Sequence, residues 1–340
     1  MKGNHALVPQ WTERNDKVVP ARQHIALLLD LLSNRGVNMH YALRNTGIFY
    51  QDLIERDLMV SPAQLARLIQ NMTKLEQFPD LSFLSGQQLM PGAFSDSSHL
   101  IVHAATVREL IGNFVAYSEI YFPLLKLRER VDETGLYLFE EDPFGEASSL
   151  SAGARTAYRR WLIEYVFTSI ISATNWRADK KIPWSVKVDW SAPCWQEQYD
   201  VYWGKVEFKQ SMASLFLPKE CLELTISDRS STLYKVAQQT TSLRPCGLLS
   251  FIRERLQQNQ QQVLPSLNDL SEMMNISPAT LKRRLKSHSS TYRLLLSEIN
   301  RQNALYLQEI HKLDDVQIAR RMNFFDVSNY RRAVRRWGAN

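Results

Sequence analysis

The last 75 residues of this 340-residue chain carry one helical unit twice, and that repeat constrains the fold more than any other feature. Leu270-Ser271 recurs as Ile318-Ala319, and Met274-Asn275-Ile276 recurs as Met322-Asn323-Phe324, each 48 residues later. After one inserted residue, Phe325, the run SPATLKRRLK at 277–286 recurs as DVSNYRRAVR at 326–335, offset by 49. Both copies share one layout. A short helix places a small residue, Ser271 or Ala319, where a second helix must approach closely. A turn with Asn follows, a residue that tolerates positive φ. An N-cap, Ser277 or Asp326, then opens a basic helix. This order is the sequence form of a helix-turn-helix. The two units span about 266–288 and 314–337, and residues 292–310 (Leu295, Leu296, Ile299, Leu305, Ile310) form a long amphipathic helix between them.

In the second helix of each unit the apolar positions lie four apart on one face, Leu281 and Leu285 or Tyr330 and Val334. Lys282, Arg283 and Lys286 fall off that stripe, as do Arg331, Arg332 and Arg335. The buried face holds the helix down while long cationic donors point outward. Such a helix suits the major groove of DNA, where Arg can donate two hydrogen bonds to guanine and cations at the groove edge meet phosphates. If the connecting helix sets the two basic helices about 34 Å apart, both enter successive major grooves on one face of the duplex. A single basic stripe is what any solvated helix surface shows. Two at matching positions, each with its own turn and cap, point to DNA.

The charge distribution agrees. The net charge is +6, yet residues 249–340 hold 15 Lys and Arg against 8 Asp and Glu, whereas residues 1–248 hold 26 against 27. The positive excess therefore belongs to the last quarter of the chain, a basic module attached to a near-neutral body. The longest apolar stretches, 25–32 and 161–173, are interrupted by Asp30 and Glu164 and fall short of the ~20 residues a membrane-spanning helix needs. Residues 1–17 read as a polar tail without the apolar core of a signal peptide, so a cytoplasmic protein with no membrane partner is expected. Cys194, Cys221 and Cys246 lie 25 or more residues apart with no C-x-x-C pair, which argues against a disulfide framework and against a local zinc knuckle.

Residues 18–245 read as one mixed α+β domain. From Val18 to about residue 129 the apolar spacing is helical: Ile25, Leu28, Leu29 and Leu32, then Leu53 and Ile54, then Leu65, Leu68, Ile69 and Met72. Ser61-Pro62 opens one of these helices, with Ser as N-cap and Pro at the first helical position. A further helix runs over 99–127, or breaks in two near Pro123. Residues 134–141 (TGLYLFEE) alternate like a strand and end at Asp142-Pro143, and a helix follows over 154–174. The stretch 184–224, rich in aromatic and β-branched residues, reads as three or four short strands with a helix near 195–202. Pro245-Cys246-Gly247 punctuates a boundary, followed by a helix over 248–257 and a polar loop, QNQQQV.

The C-terminal layout resembles the AraC/XylS family of transcriptional regulators over about residues 247–340. The runs that carry the likeness are SLNDLSEMMNISPATLKRRLK and VQIARRMNFFDVSNYRRAVRRW. The second is similar to the family's signature, in which I-A, a turn before Phe, and F-x-R-x-F-K-R-W follow in order. Here those positions are Ile318-Ala319, Phe324, and Tyr330 through Trp337. The resemblance implies that Ala279, Lys282 and Arg283 face bases from the first unit, and Ser328, Arg331 and Arg332 from the second. It makes Arg284, Lys286, Arg335 and Arg336 phosphate contacts. Residues 18–245 resemble the effector domain of one branch of the family, often labelled arabinose-binding-like, through LLDLLSNRGV, SPAQLARLI and WSVKVDWSAPCWQEQYDVYWGKVEFKQ. That label does not make the ligand a sugar. There are departures: Asn275 and Asn323 replace a common Gly in each turn, Ser289 replaces another after the first basic helix, and Asn300, beside Arg301, stands where Arg is frequent. The chain ends at Gly338-Ala339-Asn340, before the Pro and aromatic-Arg ending usual in the family, which is expected to loosen the second unit.

The expected fold is thus an α+β N-terminal effector domain (18–245, after the 1–17 tail) followed by an all-α C-terminal domain (246–340) with two helix-turn-helix units joined by a long helix. The expected function is a bacterial, sequence-specific DNA-binding regulator, an activator by family habit. Its implied partners are double-stranded promoter DNA, a small-molecule or protein signal, RNA polymerase and a second copy of itself. An enzyme is the rival from another class, yet the chain has no G-x-G-x-x-G, P-loop, G-x-S-x-G or H-E-x-x-H, so no catalytic residue and no cofactor is expected. His99 and His103, four apart with Asp96 nearby, lack a fixed third ligand, and surface or partly buried histidines rather than a metal site are expected. Tyr117, Tyr121, Phe122, Trp161, Tyr165 and Trp176 fit either a pocket wall or the core that a domain of this size requires, so no ligand-binding residue is assigned. A third reading, an architectural protein that bends DNA without regulation, accounts for the basic module and leaves the larger domain without a task.

Overall fold

Several helices of the first half begin where a side chain satisfies a free N–H group, as at Asn38, Ser61 and Thr106. The computed structural model describes residues 10–92, 94–258 and 265–338, in two units, Met1–Ser250 and Phe251–Asn340. In the first unit, α1 (Ala26–Ser33) buries Leu28, Leu29, Leu31 and Leu32. Helix α2 (Pro62–Met72) opens on the expected Ser61-Pro62 start. Ser61 Oγ accepts from the Gln64 N–H at 3.2 Å and Gln64 Oε1 accepts from the Ser61 N–H at 3.1 Å, a reciprocal capping box. Next come α3 (Leu81–Gln87) and α4 (Val107–Ala116).

The helix expected over 99–127 is instead three pieces: Ser98–Val102, α4 and Ser118–Tyr121. The first break has a long-range cause. Thr106 caps α4 through the Glu109 N–H, and the Val107 and Arg108 N–H groups donate to the carbonyls of Leu224 and Leu222. Residues more than a hundred positions away thus supply the acceptors that let a new helix begin.

After Pro123 the chain enters a five-stranded sheet: β1 (Lys126–Val131), β2 (Gly135–Glu141), β3 (Ser185–Lys187), β4 (Val206–Glu207) and β5 (Ser214–Pro218). Its order is β1-β2-β5-β3-β4, antiparallel except for the β3/β4 pair. Three of the strands fall within the aromatic stretch, as expected. In register, Leu136 faces Leu217 and Leu138 faces Leu215, all fully buried, so the central ladder lies inside the domain.

Between β2 and β3 runs α5 (Ala152–Arg177). Tyr158, Trp161, Ile163, Val166, Phe167 and Ile170 are buried around its circumference, the signature of a helix inside a core. It meets α3 at Gly86, where a Cβ would strike the Tyr165 carbonyl and lie 2.9 Å from Thr168 Cβ, so only glycine permits this approach. The same helix buries Glu164. Its carboxylate accepts from Ser82 Oγ of α3 at 2.5 Å and from the Tyr199 hydroxyl of α6 (Glu197–Tyr202), which in turn accepts from Trp190 Nε1 at 3.1 Å. Burial pushes the Glu164 pKa up to about 7, against the hydrogen bonds that favour its charge.

Helix α7 (Ser231–Thr240) has no counterpart in the sequence reading, because it buries only Tyr234 and Ala237 and so carries little apolar periodicity. Two expectations about the ends of this unit are corrected. The described part of the 1–17 tail belongs to the fold: Thr12 is buried, its N–H donates to the Cys246 carbonyl and its own carbonyl accepts from the Leu248 N–H. The boundary expected at 245/246 lies at 250/251. Pro245-Cys246-Gly247 is packed against the first unit, and a Cβ on Gly247 would come within 2.5 Å of the Pro143 carbonyl. Helix α8 (Leu248–Gln258) then carries the chain into the second unit; the expected polar loop falls, from residue 259 on, outside the described residues.

Glu164 makes the first unit's stability pH-dependent. The unfolded carboxyl ionises near 4.5 and the folded one near 7, so the folded state holds the extra proton between these values. Stability should therefore fall as pH rises from about 4.5 to 7, by on the order of 3 kcal/mol, and then level off. In urea titrations at pH 5 and pH 8, Glu164→Gln should remove that part of the decline. An identical decline in the variant would mean that other groups cause it.

Candidate nucleic-acid interface

The second unit is built from two pairs of helices that repeat one another bond for bond. Helix α9 (Leu267–Met273) starts with a capping box: Ser266 Oγ accepts from the Asp269 N–H at 3.2 Å and Asp269 Oδ2 from the Ser266 N–H at 2.7 Å. These bonds hold the Asp269 carboxyl below its ordinary pKa. The chain turns at Asn275, whose φ is 53°, while the Ile276 N–H donates to the Ser271 carbonyl at 3.0 Å. Ser277 Oγ then accepts from the Thr280 N–H and opens α10 (Pro278–Ser287).

The second pair follows α11 (Tyr292–Glu309), the long connecting helix. Helix α12 (Asp315–Arg321) has its own capping box between Asp314 and Gln317. The turn residue Asn323 has φ 59°, and the Phe324 N–H donates to the Ala319 carbonyl at 2.8 Å, the equivalent of the Ile276 bond. Asp326 Oδ1 accepts from the Asn329 N–H at 2.6 Å at the start of α13 (Val327–Gly338). Both asparagines therefore adopt the left-handed backbone that their place in the turn demands. So does Ser289, with φ 52°, in a position where L side chains other than Asn and Asp are strained.

Behind each basic helix lies a close-packed anchor. In the first pair Leu270, Ser271, Leu281 and Leu285 are buried. In the second, Ile318, Ala319 and Tyr330 are buried together with Ala304 and Leu307 of α11, and Leu313, Met322, Phe324 and Trp337 pack against them. The second stripe differs from the one read in the sequence. Val334 is 40 % exposed, and the buried face runs through Tyr330, Ala333 and Trp337. Tyr330 and Trp337, seven residues apart, sit nearly above one another on a helix, and both rings pack on Phe324, with centroids 5.5 and 6.1 Å away. That aromatic cluster turns Val334 outward.

With the anchors so placed, Ala279, Lys282, Arg283 and Lys286 of α10 are exposed and Arg284 is half-buried. On α13, Ser328, Arg331, Arg332, Arg335 and Arg336 are exposed. Lys282, Arg283, Lys286, Arg335 and Arg336 form no ion pair among the described residues. Two of the expected base readers are engaged within the protein: Arg331 Nε lies 2.6 Å from Asp315 Oδ2, and Arg332 Nη2 donates to Asn329 Oδ1 at 2.6 Å. Spacing on one helix could not reveal the Asp315 pair, which spans the turn between two helices. The inserted Phe325 is 95 % exposed, a position the sequence reading assigned no role. The ending at 338–340 lies, beyond the backbone of Gly338, outside the described residues.

In the first unit, His99 and His103 stack with ring centroids 5.3 Å apart, and His103 Nδ1 accepts from the Ser230 N–H at 3.1 Å. No group of three or more His, Cys, Asp or Glu side chains among the described residues is arranged to hold a metal. Tyr121 and Phe122 are core residues, the Tyr121 hydroxyl donating to the Ser97 carbonyl at 2.6 Å, whereas Trp176 is 46 % exposed. No helix among the described residues is long and apolar enough to cross a membrane.

Comparison with known proteins bears on both units. Residues 36–226 match the family described as the arabinose-binding domain of AraC transcription regulators, N-terminal. The chain is 24 % identical over 321 residues to the ornithine utilization regulator of Pseudomonas aeruginosa, covering 91 % of each chain. It is 23 % identical over 331 residues to an uncharacterised HTH-type transcriptional regulator of Mycobacterium tuberculosis, covering 92 % of this chain and 91 % of that one. Among solved structures it is similar to the transcriptional regulator CdpR from Pseudomonas aeruginosa, with 16 % identity, a TM-score of 0.41 and coverage of 92 % and 94 %.

The Arg331–Asp315 pair has a measurable consequence. Asp315→Asn should release Arg331 and remove one negative charge from the basic surface, tightening binding to a fluorescein-labelled duplex severalfold at low salt. Unfolding should barely change, since an exposed pair of this kind contributes about 0–1 kcal/mol. Unaltered or weaker DNA binding would show that Arg331 is not held back by Asp315.

Proposed function

The chain belongs to the AraC-type transcription regulators that carry an arabinose-binding-type N-terminal domain, and on that premise we propose that it binds specific promoter sequences through α10 and α13 under control of its first unit. The observation that carries this reading is the repeat in three dimensions. Two basic helices are each fixed by the same turn bond and by a buried face, with their cations outward. Ala279, Lys282 and Arg283, and Ser328, Arg331 and Arg332, are the base-reading residues. Arg284, Lys286, Arg335 and Arg336 bind phosphates. Arg can take guanine O6 and N7 together, which gives sequence preference, whereas phosphate contacts give affinity and register.

The first unit receives the signal. A regulator of ornithine utilization among its relatives makes a small metabolite the favoured kind of signal over a protein. The mechanism is a population shift: a ligand that favours one arrangement of the protein changes how well two protomers fit adjacent half-sites. Activation through RNA polymerase, action as a homodimer and residence in the cytoplasm complete the proposal.

Binding-site selection from genomic DNA with full-length protein, followed by salt titration on the best site, tests it. A bipartite motif with half-sites about one helical turn apart is expected. Weak, sequence-indifferent and salt-sensitive binding would favour the architectural reading instead. On the selected site, Arg283→Ala should cost about 1–3 kcal/mol and relax preference at one base position. An equal loss on all sequences would make Arg283 a phosphate contact. Arg336→Ala should lower the slope of log K against log salt by about 1 and leave preference intact; a changed preference would contradict its assignment.

A further inference from the structure

A cavity of about 350 Å³ lies in the first unit, between the segment Trp11–Val19 and the segment Arg244–Gly247. Its size is within the range of small-molecule sites. The two segments are tied together by three hydrogen bonds: Thr12 N–H to the Cys246 carbonyl, Thr12 Oγ1 to the Pro245 carbonyl, and Leu248 N–H to the Thr12 carbonyl. The wall is mainly apolar and partly aromatic, with Trp11, Val19, Met59, Phe122 and Phe144.

The charged groups in that wall are satisfied by one another or by nearby polar atoms, with one exception. Lys126 pairs with Glu119 at 2.7 Å, Lys17 donates to Gln64, and Asp16 accepts from the Glu13 N–H at 2.8 Å. Arg244 has a buried Nη1 with no hydrogen-bond partner. Burial draws its pKa below the ordinary guanidinium value, yet arginine keeps its charge. Its neighbour offers no compensation: buried His24 is held neutral, its pKa lowered to about 3 by burial and by the charge on Arg244. A cation placed against apolar walls without a counter-charge is costly, and an anion entering the cavity would remove that cost.

We propose that this cavity binds a monocarboxylate, with the carboxylate on Arg244 and an alkyl or aryl body against Trp11, Met59, Phe122 and Phe144. The guanidinium fork matches a carboxylate through two parallel hydrogen bonds. One uncompensated cation calls for one negative charge; a dianion would leave a second charge unpaired against the apolar wall. The site also has a route to regulation, an inference that rests on the reading of the first unit as the signal receiver. Arg244–Gly247 leads directly into α8, the helix that carries the chain into the DNA-binding unit. A ligand filling the cavity holds that segment against Trp11–Val19.

The test uses the full-length protein, calorimetry and thermal melts, with 3-phenylpropionate and octanoate as probes and 3-phenylpropan-1-ol and octan-1-ol as their uncharged counterparts. At least one carboxylate should bind and raise Tm, with its alcohol at least tenfold weaker. Arg244→Met should lose at least tenfold in carboxylate affinity while melting at or above the wild-type temperature, because it removes a half-buried cation whose Nη1 is buried without a partner. Arg244→Lys should retain part of the affinity. Failure of both carboxylates to bind, equal binding of the alcohols, or undiminished binding by Arg244→Met would overturn the proposal. A melt several degrees lower in Arg244→Met would assign Arg244 a structural role and overturn it as well. Carboxylate binding as expected, with promoter affinity the same in its presence and absence, would establish the site and refute its part in control. No carboxylate binding alongside sequence-specific DNA binding would refute the site and leave the DNA-reading proposal standing.

Discussion

A helix that turns several cations toward solvent can be held in place only by what it buries on the other side. In this protein that constraint is met at Ser271 and Ala319, where a small side chain lets the basic helix come close and the backbone carbonyl accepts the turn's N–H. Everything that makes the second unit a candidate DNA reader depends on this anchor. Leu281 and Leu285 in one copy, and Tyr330, Ala333 and Trp337 in the other, decide which residues of each helix remain outside. The two asparagines with positive φ set the direction from which each helix leaves its turn.

The first unit treats buried charge in two ways, and the contrast separates structure from function. Glu164 is buried but surrounded: Ser82 and Tyr199 donate to it, so it links α3, α5 and α6 within one polar network. Half-buried Arg159 is likewise paired with both Glu140 and Asp189, and these contacts raise its already high pKa. Arg244 has no such arrangement at its buried nitrogen. A guanidinium nitrogen buried at a cavity wall without a partner carries a cost that a ligand can offset.

Much of the C-terminal unit was legible because its signals are local. Caps at Ser277 and Asp326, the Asn turns, the small residues and the leucine stripe of α10 all act within a few residues of the backbone groups they serve. The same holds for the Ser61-Pro62 start of α2 and the end of β2 before Asp142-Pro143. What escaped was nonlocal. Helix α4 begins at Thr106 partly because Leu222 and Leu224 supply acceptors, and the segment around Thr12 is ordered because it meets Cys246 and Leu248. The exposure of Val334 follows from an aromatic cluster whose third member, Phe324, lies in the preceding turn.

The amino-acid order by itself determined that this chain has a duplicated, capped and positively charged helical module following an α+β body, since periodicity, capping and charge are properties of neighbouring residues. The tertiary structure decided which cations are free and which are held, as with Arg331 on Asp315, where the first unit ends, and where a cavity lies. The reason is physical. A charge acquires its partner, and a cavity its walls, only when segments as distant as Trp11 and Arg244 are brought together by the burial of everything between them.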